Sequence, residues 1–168
     1  MSWIKWSILL AALLFGGTQD ASAQWGNYFG GDGGTAFQDT CSSTQHGRAI
    51  NVRSGSKIDA VQLQCWQDYW TTPTWKPMHG GTGGTLHNLF ASEFLTGITV
   101  WYTTTINAIK FTGYPDLSGT VRSDITETLG TKTGTWAYYH CPTGTTVTAW
   151  KGRSGKLLDA IMTFCAPR

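Results

Sequence analysis

The chain has 168 residues, of which 13% are charged, with a formal net charge of +2 and 21 glycines. So small a basic excess excludes the dense Lys/Arg surface that phosphate-backbone binding requires, and nucleic acid is not an expected partner. Abundant Gly, Thr, Trp and Tyr favour strands joined by glycine-rich turns over helices.

In chain order, the first element is an export signal. Lys5 precedes an apolar run from Trp6 to Phe15, and the small residues Ala21-Ser22-Ala23 follow at the spacing of a cleavage site. A run of about ten residues is half the roughly twenty that a bilayer-spanning helix needs, and no second run of that length follows, so no transmembrane segment is expected. The mature chain is expected to begin near Gln24, to be secreted, and to form a single domain over residues 24–168. Strand alternation follows in Ala49-Ile50-Asn51-Val52-Arg53, Ile58-Asp59-Ala60-Val61-Gln62-Leu63 and Ile98-Thr99-Val100-Trp101. Only His87 to Phe94 is compatible with a short turn of helix.

An internal repeat organises these strands. The segment Cys41 to Cys65 lies over Cys141 to Cys165 with every landmark displaced by 100 residues: Arg53-Ser54-Gly55 over Arg153-Ser154-Gly155, and Asp59-Ala60 over Asp159-Ala160. A degenerate third copy lies between, with Thr103-Thr104-Thr105-Ile106-Asn107-Ala108-Ile109 in the place of Gly55-Ser56-Lys57-Ile58-Asp59-Ala60-Val61. Its Gly has become Thr and its Asp has become Asn. Spacings of 48 and then 52 residues predict three similar sheets, each unable to bury its apolar face alone, closing on one shared core.

Four cysteines in an exported chain point to disulfides before metal ligands or nucleophiles, because the compartment is oxidising and no C-x-x-C pair occurs. Three connectivities are open. Equal separations within the two repeats favour Cys41 with Cys65 and Cys141 with Cys165.

Two glycine-rich loops share the form G-G-x-G-G-T: Gly30-Gly31-Asp32-Gly33-Gly34 and, after His79, Gly80-Gly81-Thr82-Gly83-Gly84. Glycine adopts positive φ without penalty and lets backbone amides approach a ligand. A single such loop reads best as an ordinary hairpin turn; two at a 50-residue interval carry more weight. The second element is Gly-x-x-x-Asp, present as Gly55 to Asp59 and Gly155 to Asp159, with an apolar residue before each Asp to plug the core while the carboxylate faces outward. A carboxylate held at a loop end can accept hydrogen bonds from two neighbouring sugar hydroxyls while adjacent amides donate to sugar oxygens, with no metal needed. The blander alternative is that each Asp caps its own turn.

With these motifs, in this order, the chain resembles the jacalin-related lectins, from Tyr28-Phe29-Gly30-Gly31 to Phe164. The most specific stretches are Gly152-Arg153-Ser154-Gly155-Lys156-Leu157-Leu158-Asp159-Ala160-Ile161 and His79-Gly80-Gly81-Thr82-Gly83-Gly84-Thr85. The resemblance implies an all-β fold, the β-prism I of three four-stranded Greek-key sheets with a pseudo-threefold repeat. It also implies a carbohydrate-binding protein with no catalytic residues, no cofactor and no metal, whose partners are glycans or glycoproteins; self-association is left open. By the family topology the first glycine-rich loop faces the last Asp loop and the second faces the first. One sugar site would then use Gly33, Gly34, Gly155, Lys156, Leu157 and Asp159, and the other Gly83, Gly84, Gly55, Ser56, Lys57 and Asp59. Galactose-preferring members depend on a cleavage that exposes an N-terminal Gly beside the site; here Gln24 would come first, so mannose- or glucose-type glycans are expected.

The chain departs from the family pattern in three places. Leu157 and Lys57 stand where many members carry an aromatic residue. No G-G-x-G-G follows the central copy, so no sugar site is expected there and Asn107 is expected to be dispensable. The cysteines are unusual for plant-type members, and Trp136 to Cys141-Pro142-Thr143-Gly144 with Cys165 is similar to vitelline membrane outer layer proteins, which share the prism architecture. A structural coat role without sugar binding is therefore the alternative within the same fold.

Catalytic readings find no support: there is no G-x-S-x-G, no H-E-x-x-H, and only 10 acidic residues, with no partner carboxylate assignable to Asp59 or Asp159. Gly155-Lys156 does not complete a phosphate loop, since Trp150 and Leu157 hold its outer places. His46, His79, His87 and His140 are scattered and read as polar surface residues rather than metal ligands. Trp66, Trp70 and Trp75 offer a second aromatic surface for sugar stacking, while Trp66 and Trp101 read first as packing residues of core or sheet face.

Overall fold

The computed structural model describes residues 21–67, 72–90, 94–114, 123–125 and 127–168. Most of the export segment, Trp70 and residues 91–93 of the candidate helical turn lie outside the described residues. The described chain opens with the short β1 (Gln24–Trp25) and β2 (Phe29–Gly30), then β3 (Thr35–Thr40) and a long pair, β4 (His46–Ser54) and β5 (Ile58–Trp66). The same order recurs as β6 (Thr74–Trp75), β7 (His79–Gly80), β8 (Thr85–Phe90), β9 (Phe94–Tyr102) and β10 (Ile106–Tyr114). It recurs again as β11 (Ser123–Asp124), β12 (Leu129–Gly130), β13 (Thr135–His140), β14 (Thr145–Ser154) and β15 (Leu158–Pro167). His87 to Phe90, where a turn of helix was compatible with the sequence, is strand: Leu86 to Phe90 pair in register with Arg53 to Ala49, and ladder pairing outweighs a marginal local helix signal.

Each long hairpin pairs with the short strands that follow it in sequence. Sheet I has the order β6-β5-β4-β8 with β7 also on β5, and sheet II the order β11-β10-β9-β13 with β12 also on β10. The last hairpin is completed from the start of the chain, so sheet III runs β1-β15-β14-β3 with β2 also on β15. Two short strands thus form one interrupted edge, which makes each sheet four strands wide. Among the described residues all pairings are antiparallel, and Gly80, Gly130 and Gly30 sit opposite Ala60, Ala108 and Ala160 in the three sheets.

The apolar faces meet in one core built in threefold layers. Ile50, Ile98 and Trp150 form one layer, and Ile58, Ile106 and Leu158 another, each residue 0–1% exposed. The second layer holds the residues immediately before Asp59, Asn107 and Asp159, which anchor the three loops to the core as the sequence pattern anticipated. Burying one such side chain stabilises by about 1.5–3 kcal/mol.

The seams between sheets are not equivalent. Cys41–Cys65 joins the end of β3 in sheet III to sheet I, and Cys141–Cys165 joins the end of β13 in sheet II to sheet III, both with Cα atoms 5.5 Å apart. Each closes a loop worth roughly 3 kcal/mol on the chain-entropy account. At the seam of sheets I and II the counterpart of Cys65 is Gly113. Sheets III and I also share a buried polar tie: Asp39 Oδ2 accepts from Trp150 Nε1 at 2.8 Å and lies 3.0 Å from His79 Nε2, whose ring stacks on Phe37. Among the described residues Trp150 is thus the deeply buried tryptophan, whereas Trp66 and Trp101 are half-buried, beneath the cations of Arg48 and Lys132.

Candidate functional site

Two hairpin ends carry the Gly-x-x-x-Asp loops, and the interrupted edge strands carry the glycine-rich loops, so each sheet brings one of each to the same end of the prism. The joints repeat. Gly31 N donates to Asp159 O, Gly81 N to Asp59 O and Thr131 N to Asn107 O, each at 3.0 Å. At every corner the first glycine of the rich loop and the one four residues on have positive φ: +113° and +61° at Gly30 and Gly34, +128° and +62° at Gly80 and Gly84, +83° and +93° at Gly130 and Gly134. The loops also touch around a ring, Gly31 against Thr104 O, Gly81 against Lys156 O, and Thr131 N donating to Ser56 O at 3.1 Å. All three corners therefore share one end of the molecule.

The pairing anticipated from the resemblance is the one the fold makes. A Cβ on Gly33 would come within 2.5 Å of Asp159 Oδ1, and one on Gly34 within 2.5 Å of Oδ2; Gly83 and Gly84 stand the same way over Asp59. With glycine at these places the loop backbone lies directly against the carboxylate. Gly55 and Gly155 differ: neither has positive φ, and a Cβ on Gly155 would lie 3.7 Å from Gly34 Cα and 3.8 Å from Asp159 Oδ2, ordinary contacts. The fold does not require glycine at these two positions. Its effect there is to leave the outer edge of each carboxylate uncovered.

At the central corner the same space is occupied. Asn107 is 3% exposed, and its Nδ2 donates to Thr133 O at 2.9 Å, with Thr103 Oγ1 3.4 Å away. Thr103, in the place of Gly55, brings its methyl to within 2.8 Å of where a Gly134 Cβ would be. Asn107 is therefore a structural residue, contrary to the expectation that it is dispensable: it ties its own hairpin to the loop Gly130-Thr131-Lys132-Thr133-Gly134. That loop does not match G-G-x-G-G because only its outer glycines persist. The 50-residue interval Gly30, Gly80, Gly130 would have found it.

Two arginines complete the intact corners. Arg153 donates from Nε to Gly33 O and from Nη2 to Gly34 O, both at 2.8 Å; Arg53 donates to Gly83 O and Gly84 O at 2.8 and 3.0 Å. Because the peptide is trans and planar, turning the Gly33 carbonyl toward Arg153 turns the Gly34 N–H away from it. Both arginines recur as flanks in the repeat, which does not by itself give them a role; their counterpart in sheet II is Trp101, beside Lys132.

The remaining site residues fall less symmetrically. Gly55, Ser56, Lys57, Asp59, Gly84 and Leu157 line a cleft of 290 Å3. Asp59 also lines a second cleft, of 660 Å3, with Gly81 to Gly83 and with Gly155, Lys156 and Leu157. Leu157 and Lys156, assigned from the resemblance to the Asp159 site, thus also border the Asp59 site, because the loop ring sets Lys156 against Gly81. Lys57 lines its cleft while its ammonium donates to Thr105 Oγ1 at 3.0 Å. Beside Asp159, burial raises the Tyr28 phenol above its ordinary value, with Asp32 and Asp159 adding to the effect and Arg153 opposing it. Among the described residues no three His, Cys, Asp or Glu side chains cluster as a metal site, and no helix is long and apolar enough to cross a membrane.

Three antiparallel sheets closed on one core, with glycine loops and hairpin carboxylates gathered at one end, define a β-prism I domain. The jacalin-like lectin domain model matches residues 26–163, and the chain belongs to that family. Among solved structures it is similar to AcmJRL, a mannose-binding jacalin-related lectin from Ananas comosus, at 21% identity and a TM-score of 0.69, covering 87% of this chain and 99% of that one. Artocarpin, a lectin with mannose specificity, aligns with a TM-score of 0.70 at 17% identity over 86% of this chain and 98% of its own. The Calystegia sepium agglutinin aligns with a TM-score of 0.66 at 19% identity over 86% and 97%. A comparison with curated proteins gives no match.

Proposed function

We propose that the protein is a secreted lectin that binds mannose- or glucose-type glycans, without metal or catalysis, through two sites per chain at Asp59 and Asp159. The observation that carries this reading is glycine at positions 55 and 155, where the backbone would accept a side chain, together with the filling of that same space by Thr103 at the central corner. A fold-only explanation accounts for Gly34 and Gly84; it leaves Gly55 and Gly155 unexplained. In each open corner the carboxylate accepts hydrogen bonds from two vicinal hydroxyls, and the Gly34 or Gly84 N–H, turned away from its arginine, donates to a sugar oxygen. Charge-assisted bonds of this kind are about twice as strong as neutral ones.

A shallow site of this type gives a single-site Kd on the order of 0.1 to 1 mM, about 4 to 5.5 kcal/mol. Two sites on one face raise apparent affinity for a branched glycan by roughly 10² or more when the glycan spans them. Asp59→Asn and Asp159→Asn are each expected to halve the stoichiometry for methyl α-mannoside in calorimetry and to weaken retention on mannan sharply. The double variant should lose both while keeping its circular dichroism. Two remaining sites in that variant would place the ligand elsewhere, with Trp66 to Trp75 the first surface to test. Retention should survive EDTA; loss restored by calcium would overturn the metal-free chemistry. A glycan array blank for every hexose would favour the coat role instead.

A further inference from the structure

The outer face of sheet III carries a groove of 420 Å3 lined by Tyr28, Ala36, Phe37, Gln38, Lys151, Gly152 and Arg153. That volume falls within the roughly 300–1,000 Å3 of small-ligand sites and has room for a sugar residue. Its existence depends on side-chain choice at equivalent positions. On sheet II the counterparts of Ala36 and Gln38 are Trp136 and Tyr138, whose rings pack 5.3 Å apart over the strand, and on sheet I they are Leu86 and Asn88. Only sheet III combines a small residue at the first of these positions with a cation at 151, where the other sheets have Asn51 and Thr99.

The groove joins the Asp159 corner. Arg153 lines it while gripping the Gly33 and Gly34 carbonyls, and Tyr28, its far wall, reaches Gly31 O with its hydroxyl at 3.4 Å. It is also cationic: Lys151 and Arg153 line it and no carboxylate does. Lys151 lies with Nζ 4.2 Å from the Trp25 ring centroid, a contact that positions the ammonium without neutralising it. Among the described residues no carboxylate pairs with it.

We propose that this groove is a second subsite that takes the next residue of a glycan seated at Asp159, and that it selects a residue bearing an acidic group, a carboxylate or a sulfate, for Lys151. The inference rests on the reading of Asp159 as a sugar site and adds the class of glycan.

The test uses the full mature chain carrying Asp59→Asn, so that one site is read. Four probes are titrated at low salt: methyl α-mannoside, a neutral glucosyl-mannose disaccharide, its glucuronosyl counterpart, and a monosulfated disaccharide that separates carboxylate from sulfate. An exposed ion pair is worth up to about 1 kcal/mol, so an acidic disaccharide should bind about two- to fivefold tighter than the neutral one. High salt should erase the preference. Lys151→Met, which keeps the apolar stem over Trp25, should remove it, and Ala36→Trp, which installs the sheet II residue, should remove the gain from any second sugar. Both variants should bind methyl α-mannoside as before. The Gly152 amide should shift in NMR spectra with the acidic disaccharide and not with the monosaccharide. Equal affinity for acidic and neutral disaccharides, or a preference that survives Ala36→Trp, overturns the subsite while leaving Asp159 intact. Failure of methyl α-mannoside to bind overturns the Asp159 reading and the subsite with it.

Discussion

The corners at Asp59 and Asp159 and the corner at Asn107 are built to one plan, with the same backbone joint between loop and hairpin and the same pair of positive-φ glycines. They part company at positions whose backbone φ does not demand glycine. Gly130 and Gly134 persist at the central corner because their backbone conformation demands glycine, whereas the counterparts of Gly55, Gly31 and Gly33 have become Thr103, Thr131 and Thr133. The difference sorts glycines that make the loop from glycines that keep a carboxylate uncovered. It also shows that closing a site need not cost the fold: Asn107 and Thr103 refill the space with hydrogen bonds.

The sharpest way to break this comparison is to convert an open corner into a closed one. Gly55→Thr with Gly155→Thr should abolish monosaccharide binding while changing stability by no more than about 1 kcal/mol, since the replaced glycines have compatible φ and ordinary space around an added Cβ. Calorimetry and a denaturant titration read the two effects separately. Binding that survives both substitutions would mean that the uncovered carboxylate edge is not where the sugar sits.

A smaller effect is expected at the arginines, which touch the loop and not the ligand. Arg53→Met or Arg153→Met removes two hydrogen bonds to glycine carbonyls and lets the loop relax. Affinity at that corner should fall about three- to tenfold, as for losing one bond of about 1 kcal/mol, with stoichiometry unchanged. Lysine should not rescue, because a point charge does not reproduce the two-pronged donation. Rescue by lysine, with the Met variants still impaired and loop amide shifts normal, would instead assign these arginines a purely electrostatic role.

Conversion in the other direction should fail. Asn107→Asp restores the consensus carboxylate at the central corner, yet it replaces the Nδ2 donor to Thr133 O with an oxygen facing a carbonyl. Stoichiometry should stay at two, and stability should fall by about 1–3 kcal/mol, the cost of a buried polar group left facing the wrong partner. A third sugar site in this variant would show that the Asp alone defines a corner.

The contrast also marks how far the sequence is legible. The three sheets, the repeat-by-repeat disulfides and the pairing of first glycine loop with last Asp follow from the 100-residue displacement and from a resemblance that rests on long motifs. Gly130 to Gly134 was hidden because a motif search weighs all five positions, while the backbone constrains two. Arg53 and Arg153 were visible as repeated flanks, but a side chain that reaches carbonyls 30 and 120 residues away leaves no local signature. The Trp150, Asp39 and His79 tie was invisible for the same reason, since its three members come from two sheets. The placement of Leu157 beside Asp59 follows from how three loops close a ring, which no single repeat specifies.

The smallest effect expected concerns the end of the prism away from the loops, where His46 opens β4. Burial lowers its pKa below the ordinary 6.5, and Arg168 adds to the lowering; Nδ1 lies 2.7 Å from Thr146 Oγ1, and Phe94 packs against the ring. The neutral imidazole is therefore the form the fold accommodates. Between the lowered folded value and 6.5 the unfolded chain binds more protons, so stability rises with pH across that window. The contribution is complete above about pH 6.5 and is lost as pH falls through the folded pKa. His46→Gln should flatten this part of the acid limb, seen as a convergence of the Tm of the two proteins as pH falls below 6.5. Because His46 and the sugar corners sit at opposite ends of the hairpins, the same substitution should leave mannoside stoichiometry at two at every pH in the window. A binding loss that tracks His46 titration would show that the two ends are coupled through the core, and would extend the contrast between corners to the whole length of the prism.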